Sequence, residues 1–230
     1  MRRAGRLPRL AGLAAFVLTA GIASYTPHAG TALAADDLPV GAGFDFYVLS
    51  LSWSPSYCAA EGEDANPQQC DGQRSYGFVV HGLWPQFERG YPENCRTRHS
   101  LDVPREQLAG LYDIMPSAGL IRHQWKKHGS CAGLSQHDYF EVLREAWKRV
   151  AIPQDYRQPA APTAVDPDLI EDAFLTANPG MAADGIAVTC DSNHVRDVRI
   201  CMAKDLSFRS CEEVDRRMCR LPSVLMPSPG

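Results

Sequence analysis

Hydrophobic residues in this chain follow two rhythms. From Phe44 to Trp53 the string FDFYVLSLSW is aromatic and β-branched almost throughout, which predicts a buried strand. YGFVVH at 76–81 reads as a second strand, with Gly82 and Pro85 as its stop, and 186–189 and 195–202 read as two more. Helical spacing takes over in the middle. Asp102 and Pro104 predict a helix that runs to Met115 and ends at Pro116. Ser135 is placed to cap a helix over HDYFEVLREAWKRV, whose Tyr139, Phe140, Leu143, Trp147 and Val150 form an apolar stripe that reads as core. Asp166 and Pro167 open a shorter helix, LIEDAFLTAN, closed by Asn178-Pro179-Gly180. Residues 58–75 are polar and glycine-bearing and read as a loop. So does DYRQPAAPTAV from 155, while the closing PSVLMPSPG reads as frayed. With no internal repeat and no linker, the pattern gives one α+β domain with helices packed on a central antiparallel sheet.

The first 34 residues stand outside that domain. Arg2, Arg3, Arg6 and Arg9 make a basic start, LAGLAAFVLTAGIA is an apolar run, and Ala32-Leu33-Ala34 offers a small-residue cleavage site before Ala35. The run is too short to span a bilayer comfortably, and no second apolar stretch of about 18 residues follows. The expectation is an export signal over 1–34, a mature domain over 35–230, a secreted or periplasmic location, and no membrane contact after cleavage. Formal charge is −4; removing four arginines and no acids makes it −8. That balance argues against tight nonspecific binding of nucleic acid along a basic track, and leaves open a small pocket for one or two nucleotides. All eight cysteines fall in the mature part. An even count in an exported chain reads as a disulfide framework, with 105 connectivities open. A zinc site is the competing reading, but there is no CxxC pair, and His137 and His194 are poorly placed to complete a Cys/His set.

Two stretches carry chemistry: FVVHGLWPQF at 78–87 and HQWKKHGSC at 123–131. If HQWKKHG is helical, His123 and Lys127 share one face at i, i+4, and Gln124 and His128 share the neighbouring one. His81 sits where a strand runs into Gly82. Two separate histidines suit a phosphodiester transfer without metal. RNA supplies its own nucleophile, the ribose 2′-OH. It then needs a base for that hydroxyl, an acid for the leaving 5′-oxygen, and positive charge for the phosphorane oxygens. Imidazoles with ordinary pKa near 6.5 can divide the first two tasks, and Lys127 suits the third. Alone, His81 would more often be a satisfied buried histidine and Trp84 a core residue; the joint pattern outweighs both. Trp53, Trp125 and Trp147 read as core, and His99, His137 and His194 as surface residues.

These stretches, with FYVLSLSWSPSYC upstream and AFLTANPGM downstream, resemble the ribonuclease T2 family in order, spacing and neighbours, over most of the mature chain. The resemblance implies an α+β, disulfide-stabilised fold. It implies an endoribonuclease that cleaves single-stranded RNA with little base preference, through a 2′,3′-cyclic phosphate to 3′-phosphate products. No metal or other cofactor is implied, and a monomer is expected. Carried over residue by residue, His128 resembles the general base and His81 the general acid, an assignment the sequence leaves exchangeable. Lys127 would stabilise the phosphorane, His123 would contact the phosphate, and Trp84 would pack on a base or ribose. The resemblance also implies the pairs Cys58–Cys70, Cys95–Cys131, Cys190–Cys219 and Cys201–Cys211, the second tying the tails of the two catalytic segments together. Gln124 departs from the pattern, which usually has Glu there. An amide carries no titratable proton, yet it can donate a hydrogen bond to a non-bridging phosphate oxygen. The expectation is an active enzyme with altered rate or pH dependence. The alternative is a catalytically weakened RNA-binding or other secreted binding protein on the same fold.

Overall fold

The computed structural model describes residues 38–71 and 74–229; the export signal expected over 1–34 lies outside them. Strand β1 (Phe46–Trp53) is central. It pairs antiparallel with β2 (Phe78–Gln86) on one side and β5 (Val195–Met202) on the other, and β4 (Ile186–Cys190) lies beyond β5. Because successive residues of a strand face opposite sides, Tyr47, Leu49, Leu51 and Trp53 enter the main core, while Phe46 and Val48 join a smaller cluster with Ala187, Cys201, Cys211 and Val214. Helices α4 (Ala118–Lys127), α5 (Gln136–Arg149) and α6 (Pro167–Ala177) bury Ile121, Trp125, Phe140, Leu143, Ile170 and Phe174 in the main core. The short α7 (Glu212–Asp215) contributes Val214 to the smaller cluster.

Local chemistry explains where the helices start. Ser117, Ser135 and Asp166 each accept a backbone N–H of the first turn, from Leu120, Asp138 and Asp168 at 3.2, 3.1 and 3.1 Å. Each such cap stabilises by about 1 kcal/mol. All four disulfides pair as the resemblance implies: Cys58–Cys70, Cys95–Cys131, Cys190–Cys219 and Cys201–Cys211.

Five segments differ from the sequence reading. Strand β2 does not stop at Gly82 and Pro85 but runs through both to Gln86. It is an edge strand, where a proline's missing N–H can be tolerated. The helix expected over 102–115 is only α3 (Arg105–Ala109), capped by Gly110, and the following turns bury Leu111, Ile114 and Met115. Residues 58–75, expected as loop, contain the end of α1 (Ser54–Glu61) and all of α2 (Pro67–Cys70), stapled by Cys58–Cys70. The stretch from 155, expected as loop, ends in a strand, β3 (Thr163–Val165), and the tail is not frayed, because β3 pairs with β6 (Val224–Met226), whose Val224 and Met226 are buried. Trp147, read as core, is only partly buried at its edge.

One buried acid gives the fold a pH dependence. Glu171 on α6 accepts the Val188 N–H at 2.7 Å. Burial, offset in part by that hydrogen bond and aided by Asp168, Asp215 and Asp172, pushes its carboxyl from 4.5 up to about 7. A group whose folded pKa is raised contributes stability that is complete below about 4.5 and is lost as pH rises through about 7. Glu171→Gln should therefore melt close to wild type at pH 5 and several degrees above it at pH 8, on the order of 1–2 kcal/mol. Thermal melts at the two pH values check this; the same gap at both would contradict it.

Candidate active site

A β-bulge assembles one wall of the site. Between Ser50 and Leu51 of β1 the pairing steps from Gly82 to Val80, so His81 is an extra residue in β2. In a regular strand His81 and Trp84, three apart, would face opposite sides. The bulge turns both to the face that carries Phe46 and Val48, while Val80 and Leu83 stay in the main core. Gly82 leaves room here: a Cβ would crowd the Gln124 amide oxygen and lie 2.5 Å from Trp84 Nε1.

Helix α4 supplies the opposite wall. Ile121 and Trp125, one turn apart, are fully buried, and the Trp125 indole packs on Tyr139 and Phe140 at ring distances of 5.7 and 6.3 Å. Its Nε1–H donates to Ser100 O at 2.8 Å. This anchor fixes the helix about its own axis, so His123 with Lys127 and Gln124 with His128 all line one cleft. His128 caps the helix, its N–H still bonded to Gln124 O at 3.0 Å. The chain then turns at Gly129, where a Cβ would meet the Trp125 and Tyr139 rings at 2.5 and 2.8 Å. Cys95–Cys131 and an Asn94 N–H bond to Lys127 O at 2.7 Å tie the preceding loop to this helix end.

The cleft, about 290 Å³, is lined by all six residues singled out from sequence: His81, Trp84, His123, Gln124, Lys127 and His128. Trp84 lies between the two walls. Its ring stacks on His128 at 5.3 Å and 30°, meets His81 edge-on at 5.4 Å, and carries the Arg199 guanidinium 5.4 Å from its centroid. The indole Nε1–H donates to Gln124 Oε1 at 2.8 Å. An indole N–H only donates, so the amide oxygen must face it. The Gln124 –NH₂ takes no acceptor among the described residues. The exposed rings of Phe87 and Tyr91 add apolar surface to the cleft.

The two imidazoles live in different proton environments. His81 Nδ1 lies 3.4 Å from Asp197 Oδ1 and 3.2 Å from Ser52 Oγ, and Ser52 donates to that same Oδ1 at 2.6 Å. Burial alone would raise the Asp197 carboxyl, but the His81 hydrogen bond and charge, the Ser52 hydroxyl and Arg199 outweigh it and hold the group at about 2. His128 is buried, and its Nδ1 has no partner among the described residues. Burial first, then the charges of Lys127, His123 and His81, push its imidazole down to about 3, so it is neutral in ordinary buffers. Lys127 Nζ lies 3.4 Å from Glu93, a partly exposed pair of the kind that contributes little.

Asp197, Ser52 and Arg199 were not anticipated from sequence. The signal that existed was the run of polar residues inside VRDVRICM, where Asp197 and Arg199 share one face of an otherwise apolar strand. His194, read as a surface residue, is partly exposed and lies 3.7 Å from Asp191. His137 is exposed and His99 half-buried.

Comparison with known proteins agrees with this geometry. The Ribonuclease T2 family model matches residues 44–211. A ribonuclease of Aeromonas hydrophila is 54% identical over 103 residues, 44% of this chain and 44% of that protein. A probable ribonuclease of Haemophilus influenzae is 36% identical over 121 residues, 47% of this chain and 44% of the other. The matched segments thus span less than half the length of either relative. Among solved structures, an RNase-related protein from Calystegia sepium aligns with a TM-score of 0.63 at 20% identity, covering 82% of this chain and 100% of its own; at that identity the likeness speaks for the fold. A family model spanning both walls of the cleft, together with this sheet and its disulfides, places the chain in the Ribonuclease T2 family.

Proposed function

We propose that the protein is an endoribonuclease that cleaves single-stranded RNA by attack of the ribose 2′-OH on the adjacent phosphate. The observation that carries the proposal is the pair of imidazoles in one small cleft, one neutralised by burial and the other backed by a carboxylate. His128, kept neutral, accepts the 2′-OH proton. His81 donates a proton to the 5′-oxygen as the P–O5′ bond breaks, leaving a 2′,3′-cyclic phosphate. The roles then reverse: His81 takes a proton from water, the hydroxide opens the cyclic ester, and His128 returns its proton to the 2′-oxygen, giving a 3′-phosphate. Lys127 and the Gln124 –NH₂ serve the charge on the phosphorane oxygens, His123 contacts the phosphate, and the partly exposed Trp84 packs on a base or ribose. A cleft of this size suits one or two nucleotides and makes little demand for a long basic surface, in keeping with the chain's net negative charge. The four disulfides support an oxidising, secreted or periplasmic location, reached by removal of residues 1–34, with the mature protein acting as a monomer.

A secreted binding protein on the same fold would rest on Gln124 alone. Gln124 does not disable the arrangement, because its oxygen is committed to Trp84 and its –NH₂ remains a donor.

Two outcomes test this reading. Digestion of RNA in excess chelator should proceed and yield cyclic phosphate ends. His81→Ala and His128→Ala should each lower kcat/KM by roughly 10²–10⁴-fold, the usual contribution of a positioned acid or base, without a matching loss of melting temperature. Either variant keeping near-wild-type activity would remove that residue from the mechanism.

A further test concerns Gln124. The base must be deprotonated, so His128 sets the acidic limb of the pH–rate profile. A carboxylate one helical turn before it would offset the cationic neighbours that depress it and raise its pKa. Gln124→Glu should move the acidic limb to higher pH by about one unit, leaving the alkaline limb, set by the His81 proton, in place. Profiles on one dinucleotide substrate measure this, and superimposable curves would place Gln124 outside the base's electrostatic reach.

A further inference from the structure

Asp197 is a buried carboxylate whose partners are Ser52, His81 and Arg199, and the mechanism above does not use it. It sits just after a second bulge, where the β4 pairing steps from Asp197 at Thr189 to Val195 at Cys190. Burying a carboxylate is costly unless it is paired and hydrogen-bonded, and this one spends its Oδ1 on the Ser52 hydroxyl and the His81 ring.

The hydrogen-bond inventory fixes the position of a proton. Ser52 has one hydrogen and gives it to Asp197 at 2.6 Å. What it offers His81 Nδ1, 3.2 Å away, is a lone pair. Asp197 as a carboxylate likewise only accepts. Both oxygens near Nδ1 are acceptors, so Nδ1 carries the hydrogen in every protonation state of His81. The neutral ring is then the Nδ1–H tautomer, with the Nε2 lone pair left for the cleft.

We infer that Asp197, steadied by Ser52, is the positioning residue that commits His81 to the role of proton donor. Charged, His81 holds its transferable hydrogen on Nε2. That proton passes to the 5′-oxygen as the P–O5′ bond breaks, and the ring left behind is the tautomer Asp197 and Ser52 already hold. Asp197 is also the anion in contact with a ring surrounded by cations and neutral donors. Arg199 is beside it on β5, His123, Lys127 and His128 come from α4, Ser52 from β1, and Arg217 across the cleft is paired with Glu213 at 2.8 Å. Among the described residues no other carboxylate lies within ion-pair distance of that ring. The inference rests on the assignment of His81 as the acid.

The test is Asp197→Asn in the intact chain, assayed on two substrates. A dinucleoside monophosphate has an alkoxide leaving group that needs a proton; a nucleoside 3′-(4-nitrophenyl phosphate) has one that does not. The variant should lose roughly 10²-fold in kcat on the first, within the range of a positioned acid, and less than about threefold on the second, with the alkaline limb of its profile moved to lower pH. Ser52→Ala should shift both readouts the same way by less. Equal losses on the two substrates, or no loss, would overturn the inference. Should Asp197→Asn fail to fold, nitrogen-15 imidazole NMR of the wild-type protein reads the same claim: neutral His81 must be protonated at Nδ1, and protonation at Nε2 overturns it. Failure of the wild-type protein to cleave RNA at any pH would instead sink the proposed function, while the NMR reading of the Asp197 contact would stand on its own.

Discussion

An edge strand with one residue too many organises this cleft. His81 is unpaired in the β1–β2 ladder, and that single insertion reverses the facing of everything after it. Val80 and Leu83 both reach the core, while His81 and Trp84 both reach the cleft. Gly82 leaves room for the Trp84–Gln124 hydrogen bond that joins the strand to α4, which a side chain there would crowd. The bond in turn depends on α4 being held about its axis by Trp125. Strand, glycine, indole and helix therefore form one mechanical unit, closed covalently behind the helix by Cys95–Cys131.

Upon that frame the two imidazoles are separated by environment rather than by identity. His128 is buried, its Nδ1 has no hydrogen-bond partner among the described residues, and Lys127 is next to it, so it resists protonation. His81 is half exposed and braced by a carboxylate. Sequence alone leaves acid and base exchangeable; in the proposed reaction His128 is the base, its imidazolium penalised by desolvation and neighbouring cations, and His81 the acid, with the Asp197 carboxylate 3.4 Å from its Nδ1. The net negative charge of the chain is no obstacle, since the cations that matter, Lys127 and Arg199, are gathered in the cleft.

Much of this was legible in the sequence where the physics is local. Ser135 and Asp166 mark helix starts because capping acts over three residues, and HQWKKHG presents its polar groups together because helical periodicity does. What escaped depends on distant partners. Gly82 and Pro85 read as strand breakers, yet a bulge on an edge strand accommodates both. The tail from Pro222 looked frayed because its partner, β3, lies some 60 residues earlier in the chain. Asp197 is 116 residues from His81, and nothing in VRDVRICM by itself shows that its one acid reaches a histidine. The export signal and cleavage at Ala35 lie outside the described residues and stay expectations of the sequence.

The central claim is that one phosphodiester sits between two imidazoles with its leaving oxygen toward His81. A crystal structure of the protein with a 2′-deoxy dinucleotide, which lacks the nucleophile and so survives, tests it most directly. The account predicts the phosphate in the cleft on Lys127 and the Gln124 –NH₂, with the 5′-oxygen within hydrogen-bond reach of His81 Nε2 and the ribose C2′ turned to His128. A phosphate bound with its 5′-oxygen on His128, or a dinucleotide seated away from these two rings, would contradict it.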